Sequence, residues 1–223
     1  NGINIDIGFN NLKLQVIRKN LNKKKLITKV IRSGFLESKK GVHINSKIKL
    51  PALTEKDKYA LKIAREFNIK YFAVSFVNNH NDINEVKKIT GNKVFIISKI
   101  ETKNALVNLN KIAINSSDLL IDRGDLSRYV PIEKIPIAQD FVIKFSKKVN
   151  KPTYVATNLL ETMIKESLPT RAESHDIYST LKQGAKGLVL AAETAIGDNP
   201  VECVRFLKRC IKVCKNNFKI EKY

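Results

Sequence analysis

The stretch "KVFIISKIETKNALVNLNKIA", residues 93–113, holds one complete structural unit. Its first seven residues are a short, apolar, β-branched run, the composition of a buried strand. From Thr102 the apolar positions recur every three to four residues, which is the period of a helix. Lys99 and Glu101 stand at the junction. Side chains alternate across a strand, so residues two apart leave it on the same side. A cation and a carboxylate therefore emerge together from one strand end, as either an active site or a surface ion pair.

The same grammar extends in both directions. Upstream, "TEKDKYALKIAREFN" (54–68) is an amphipathic helix opened by a threonine cap with an aspartate three residues on. "KYFAVSF" (70–76) is a strand and "NDINEVKKIT" (81–90) a helix. Downstream, the strand "DLLID" (118–122) precedes the helix "PIEKIPIAQDFVIKFSKKV" (131–149). The strand "PTYVAT" (152–157) precedes the helical "LLETMIK" (159–165) and a capping-box helix over 170–183. "GLVLAA" (187–192) is the last strand, and Asn199 caps a helix with Pro200 at its first position. Five apolar strands, each followed by helix, predict an α/β fold with a parallel, covered sheet, either a (β/α) barrel or a doubly wound sheet. Polar residues cluster just after the strand ends, and no glycine-rich dinucleotide fingerprint follows any strand. Both features favour the barrel. Residues 1–50 read as β instead, with "LKLQVI", "KKLITKVI" and "GVHINSKIKL" separated by the turn signals "SG" and "KKG". The expected division is a β-rich segment over 1–50 and barrel units over 51–223.

The chain of 223 residues carries 41 Lys and Arg against 21 Asp and Glu, a net charge of +20. Such a charge suits nucleic acid, a membrane surface or small anions. The basic residues are spread along the chain, with "RKNLNKKK" (18–25) the one dense cluster and no aromatic-rich basic module beside it. An anionic small substrate is therefore favoured over nucleic acid. No apolar run reaches 18 residues, so no membrane span is expected. Cys203, Cys210 and Cys214 share one helical face and fit neither a zinc motif nor a disulfide framework, which points to a reducing compartment, the cytoplasm or an organelle. The first residue is Asn1 rather than Met, as expected for a piece or processed form of a longer chain.

The strand ends supply Lys99 and Glu101, then Arg123, Gly124 and Asp125, then Thr157 and Asn158, then Glu193 and Thr194. Glu101 and Asp125, on neighbouring strands, are hard oxygen ligands suited to Mg²⁺ or Mn²⁺. Lys99 beside them neutralises an oxyanion or a transferring group. Gly124 and Asp125 are placed to open a short helix whose free N–H groups face a substrate carboxylate.

The motifs "ISKIE", "RGDL", the block from Ala156 to Glu173 and "ETAIGDNPVE", in this order and spacing, resemble the barrel of pyruvate kinase. "SKKGV" (38–42), "LPALTEKD" (50–57) and "AVSF" (73–76) carry the resemblance upstream. It implies a partial TIM-type (β/α)8 barrel, strands four to eight, preceded by a β segment from the lid domain. It implies phosphoryl transfer between phosphoenolpyruvate and ADP, giving pyruvate and ATP, in glycolysis. Residue by residue, Lys99 matches the lysine contacting the transferring phosphoryl group, and Glu101 and Asp125 match the Mg²⁺ ligands. Gly124 and Asp125 match the amides that hold the substrate carboxylate, Arg123 the arginine before them, Thr157 the threonine beside the methylene carbon, and Lys40 a lysine on the nucleotide side. The resemblance also implies K⁺, whose ligands are expected in barrel units that precede this chain. A homo-oligomer is expected, or a requirement for that preceding barrel part.

Departures from the family pattern keep two other readings open. Asp122 and Ser127 replace small residues around "RGDL", Ala191 and Ala192 replace a polar pair, and Ile196 replaces a lysine that serves the nucleotide phosphates. An extra carboxylate at Asp122 would sit near an anionic pocket unless its side chain turns away. The alternatives are a lyase or aldolase using the same corner on a 2-oxo acid, and a non-catalytic binding module.

Overall fold

The computed structural model describes residues 2–8, 12–36, 38, 40–46 and 50–215. It falls into two compact units, Asn1–Pro51 and Ala52–Tyr223. The first is an antiparallel sheet of β1 (Asn4–Ile7), β2 (Leu12–Asn20), β3 (Lys25–Arg32) and β4 (Val42–Ile44), in the order β3-β2-β1-β4. Ile5, Leu12 and Val16 form its buried side. β1 was not legible as a separate strand, since "NIDI" is too short for its alternation to stand out. Residues 47–49 of the run over 41–50 lie outside the described residues.

The second unit alternates helix and strand: α1 (Glu55–Glu66), β5 (Tyr71–Val74), α2 (His80–Thr90), β6 (Phe95–Ile100), α3 (Lys103–Val107), α4 (Leu109–Asn115) and β7 (Asp118–Asp122). It continues with α5 (Arg123–Leu126), α6 (Ile135–Lys148), β8 (Thr153–Ala156), α7 (Arg171–Gln183), β9 (Gly187–Val189), α8 (Ala192–Ala195) and α9 (Pro200–Lys215). The strands form one parallel sheet in the order β5-β6-β7-β8-β9. Each strand lies beside its predecessor and the order never reverses. That is the winding of a barrel; a doubly wound sheet reverses at a switch point.

Local chemistry fixes the helix starts. Thr54 and Asp57 form a capping box on α1, Thr170 and Glu173 form one on α7, and Asn79 with Asp82 starts α2. The segment read as one helix over 102–113 is two short ones. They break at Asn108, whose side-chain amide donates to the carbonyls of Asn78 and Asn104 and so competes with the helix backbone. "LLETMIK" narrows to a 3-10 turn over Glu161–Ile164.

Ile96, Ile100, Leu119, Ile121 and Val155 project from one side of the sheet into the main core, against Ile83 and Val86 of α2, Leu109 and Ile112 of α4, and Val142 and Ile143 of α6. A second cluster of Leu159, Leu160, Met163, Ile177, Leu207 and Cys203 packs α7 and α9 together. Cys203 is fully buried there, and the three cysteines are free thiols. Because Ile96, Ile100 and Ile121 face the helices, alternation sends Lys99 and Asp122 to the opposite face. Register places Lys99 beside Leu120, two residues before Asp122 on that same face. No helix among the described residues is long and apolar enough to cross a membrane.

Candidate active site

At the carboxyl ends of β6 and β7 the Lys99 ammonium lies between two carboxylates. It is 2.6 Å from Oε1 of Glu101 and 3.1 Å from Oδ2 of Asp122. Glu101 has a fully buried side chain, held from behind by the Phe76 N–H, which donates to Oε2 at 2.5 Å. Phe76 adopts a left-handed backbone with φ 53°. That conformation is unusual for an aromatic residue, and its neighbours pin it. Asn78 donates to the Phe76 carbonyl and accepts from Thr102, while Asp82 accepts from the Asn78 and Asn79 amides. The loop after β5 thus presents an N–H to the carboxylate that ends β6.

The front of Glu101 is less satisfied. Oε1 is buried and, despite its short approach to Lys99, accepts no hydrogen bond of good geometry. Carboxylate oxygens of Glu101, Asp122 and Asp125 lie within 4.8 Å of one another. This all-oxygen donor set fits a hard divalent cation such as Mg²⁺ or Mn²⁺. Burial pushes the Glu101 carboxyl above the ordinary glutamate value, and Lys99 and the Phe76 N–H offset only part of this. Burial and then the Asp122 charge push Asp125 up, with Arg128, 3.2 Å away, and Lys99 opposing. For Lys99 burial acts downward, but Glu101 and Asp122 outweigh it and hold the ammonium above its ordinary value.

The third wall comes from β8. Thr157 and Asn158, just past the strand, both have left-handed backbones, φ 69° and 53°. Asparagine tolerates this region; a β-branched threonine does not. The Arg123 guanidinium secures the turn, donating from Nε (3.1 Å) and Nη2 (2.6 Å) to the Thr157 carbonyl and from Nη2 (2.9 Å) to that of Asn158. Its Nη1 meets Asp176 of α7 at 2.7 Å. The turn points the Thr157 hydroxyl at the site, where it accepts from the Gly124 N–H at 2.9 Å. Asp122 Oδ1 lies 3.3 Å from both that hydroxyl and the Asp125 N–H.

Lys99, Glu101, Gly124, Asp125 and Thr157 therefore converge. Arg123 lies beneath them with its donors turned to the loop carbonyls. Lys40 belongs to the other unit, where it is exposed just ahead of β4. Glu193 and Ser98 act as scaffold. Glu193 accepts from the Leu160 and Ala191 amides, and Ser98 pairs with Ser116 in the interior. The residues not singled out from sequence are Phe76, Asn78 and Asp176. Phe76 acts through its backbone, and Asp176 is one of several charges on α7, so neither left a signal. Asp122 was singled out, and its side chain turns into the site.

Fold and site together define a (β/α)-barrel domain whose charged residues gather at the carboxyl edge of the sheet. The family model that matches, pyruvate kinase, barrel domain, spans residues 1–204, and the chain belongs to that family. A pyruvate kinase of Thermotoga maritima is 37% identical over 203 residues, covering 89% of this chain and 43% of the relative. Pyruvate kinases of Methylorubrum extorquens and Methanocaldococcus jannaschii are 35% and 36% identical over 93% of this chain. The chain spans less than half the length of these relatives, 43% and 46% for the latter two.

Proposed function

We propose that this chain carries the pyruvate-and-cation side of a pyruvate kinase site, which moves the phosphoryl group of phosphoenolpyruvate to ADP. One observation supports this above the others: a lysine flanked by two buried carboxylates is linked through Asp122 to a threonine hydroxyl and a backbone amide, at one edge of a barrel-type sheet. When bound, a divalent cation held by Glu101 and Asp125 supplies charge neutralisation for the phosphate and enol oxygens. The Lys99 ammonium stabilises the charge that spreads over the transferring group and the enolate oxygen as the bond to phosphorus breaks. The Gly124 and Asp125 amides, expected from sequence to be free, donate here to the Thr157 hydroxyl and to Asp122, and are assigned to the substrate carboxylate once it binds. The Thr157 hydroxyl, or a water it holds, delivers the proton that turns the enolate carbon into the methyl group of pyruvate. Arg123 contributes by fixing Thr157. Lys40 is assigned to the nucleotide side on the family pattern alone. K⁺, a place in glycolysis and homo-oligomeric assembly belong to the same proposal, and no K⁺ ligand is assigned among these residues.

A second reading uses the same corner on a 2-oxo acid without nucleotide. It is favoured by Ile196, 74% exposed just past α8 where the family pattern carries a lysine. ATP formation decides between them. With phosphoenolpyruvate, ADP and Mg²⁺, the kinase reading expects ATP, lost in Lys99→Met with the fold intact. Enolate exchange of pyruvate that needs no nucleotide, with no ATP formed, would favour the second reading.

A further inference from the structure

Beyond its place in the acidic set with Glu101 and Asp125, the buried Asp122 carboxylate is given no step in the reaction above. It sits on the Lys99 face of β7 and touches three groups: the Lys99 ammonium at 3.1 Å, the Asp125 N–H at 3.3 Å and the Thr157 hydroxyl at 3.3 Å. These three are the groups that the functional reading gives to the substrate, as charge partner, carboxylate donor and proton source. A residue serving only to cap the four-residue helix α5 would need the Asp125 amide and nothing more. Here the second carboxylate oxygen reaches across to the neighbouring strand and pairs with a lysine that Glu101 already neutralises.

We infer that Asp122 is a resident carboxylate seated where the substrate carboxylate binds, and that it sets the affinity and selectivity of this site for anionic substrates. The inference rests on the functional reading above for the identity of the substrate. An incoming 2-oxo acid meets a like charge in a buried place, finds the Asp125 amide taken and finds Lys99 shared between two carboxylates. Binding requires Asp122 to swing out or the substrate to sit displaced from Thr157. Either route weakens the complex in proportion to the charge repelled. Removing the carboxylate leaves a seat with an N–H and an ammonium aimed into it, the partners a small carboxylate needs, and at its edge the Thr157 hydroxyl, whose nearer acceptor is the Ala156 carbonyl at 2.6 Å.

The test uses the longest form of the protein, wild type beside Asp122→Ala and Asp122→Asn, with Mg²⁺ present. Each is titrated with sodium formate and with pyruvate while the Gly124 and Asp125 amide resonances are followed by NMR. The expected result is formate binding at the Asp125 amide in Asp122→Ala and not in wild type, with pyruvate binding at least about tenfold tighter in both variants. Asp122→Asn keeps a capping side chain and removes only the charge, so its pyruvate titration decides the matter if Asp122→Ala does not fold. The inference is overturned if formate leaves the Asp125 amide unmoved in folded Asp122→Ala, or if pyruvate binds both wild type and Asp122→Asn, and with equal affinity. Formate binding in Asp122→Ala with pyruvate binding to no form would uphold the seat and sink the proposed function. Equal pyruvate binding by all three would do the reverse.

Discussion

Arg123 is the residue whose removal tests the architecture of the site most sharply. Its guanidinium makes four hydrogen bonds to three acceptors, at 2.6–3.1 Å, from a position 8% exposed. Losing a charged donor to a buried acceptor costs about 1.5–3 kcal/mol. Two loop carbonyls would set about 3–6 kcal/mol if buried; Thr157 is half-buried and Asn158 exposed, so the gross loss for Arg123→Met is about 3–5 kcal/mol. The Asp176 side chain is 37% exposed and regains water, so its share is below about 1 kcal/mol. Opposing this, a left-handed Thr157 stores about 1–3 kcal/mol, which the freed turn releases as it relaxes. The net expectation is a destabilisation of about 1–3 kcal/mol, read as a lower midpoint in urea at unchanged slope. The relaxation should also withdraw the Thr157 hydroxyl from the Gly124 amide, visible as a shift of that amide in NMR. Proton transfer at the enolate carbon should slow by about a hundredfold, the cost of a displacement near 1 Å. Arg123→Lys should rescue little, because an ammonium lacks the fork that spans both carbonyls. A Met variant within about 0.5 kcal/mol of wild type, with the Gly124 amide unmoved, would refute the claim that Arg123 holds the turn.

Two further expectations follow from the same geometry. Glu173 accepts from the Thr162 and Thr170 amides at 2.7 Å each. Burial pushes its carboxyl up, but those donors outweigh it and hold the group below its ordinary value. A depressed folded-state pKa contributes stability that is present above the ordinary glutamate range and lost as pH falls through the lowered value. Glu173→Gln should therefore flatten the acid side of the stability profile in urea titrations run at several pH values, and Thr170→Ala should cost about 1 kcal/mol. At the cation site, Glu101 and Asp125 are both pushed up, so protons compete with the cation at higher pH than they would at ordinary carboxylates. Mn²⁺ titration followed by electron paramagnetic resonance should show affinity falling as pH drops toward the top of the carboxylate range, and Glu101→Gln should weaken it by at least 10–100-fold, roughly.

Much of this was legible because burial leaves a periodic trace. The strands β5 to β9 are short apolar runs, and the threonine and glutamate or aspartate pairs at 54/57 and 170/173 announce their helices. Lys99, Glu101 and Asp125 stood out because charges at apolar strand ends are expensive unless used or paired. What periodicity cannot carry is backbone handedness. Nothing in "ATN" or "SFV" says that Thr157 or Phe76 turns left-handed, since the first turn is held by Arg123, 34 positions away, and the second by Asn78, itself held by Thr102, 24 positions on. The break at Asn108 was hidden for the same reason, as its partner Asn78 lies 30 positions away. The direction of Asp122 follows from strand alternation once β7 is placed over Asp118–Asp122 and Ile121 is assigned to the helix-facing side.

Lys99, the Glu101–Asp125 pair and Thr157 are proposed to form a working enolate corner. Solvent exchange of the pyruvate methyl protons, followed by NMR in D₂O with and without Mg²⁺, tests it without requiring net phosphoryl transfer. The expected result is deuterium uptake that depends on the cation and disappears in Glu101→Gln and Lys99→Met. A folded protein that binds Mg²⁺ and pyruvate yet exchanges no methyl proton would contradict it.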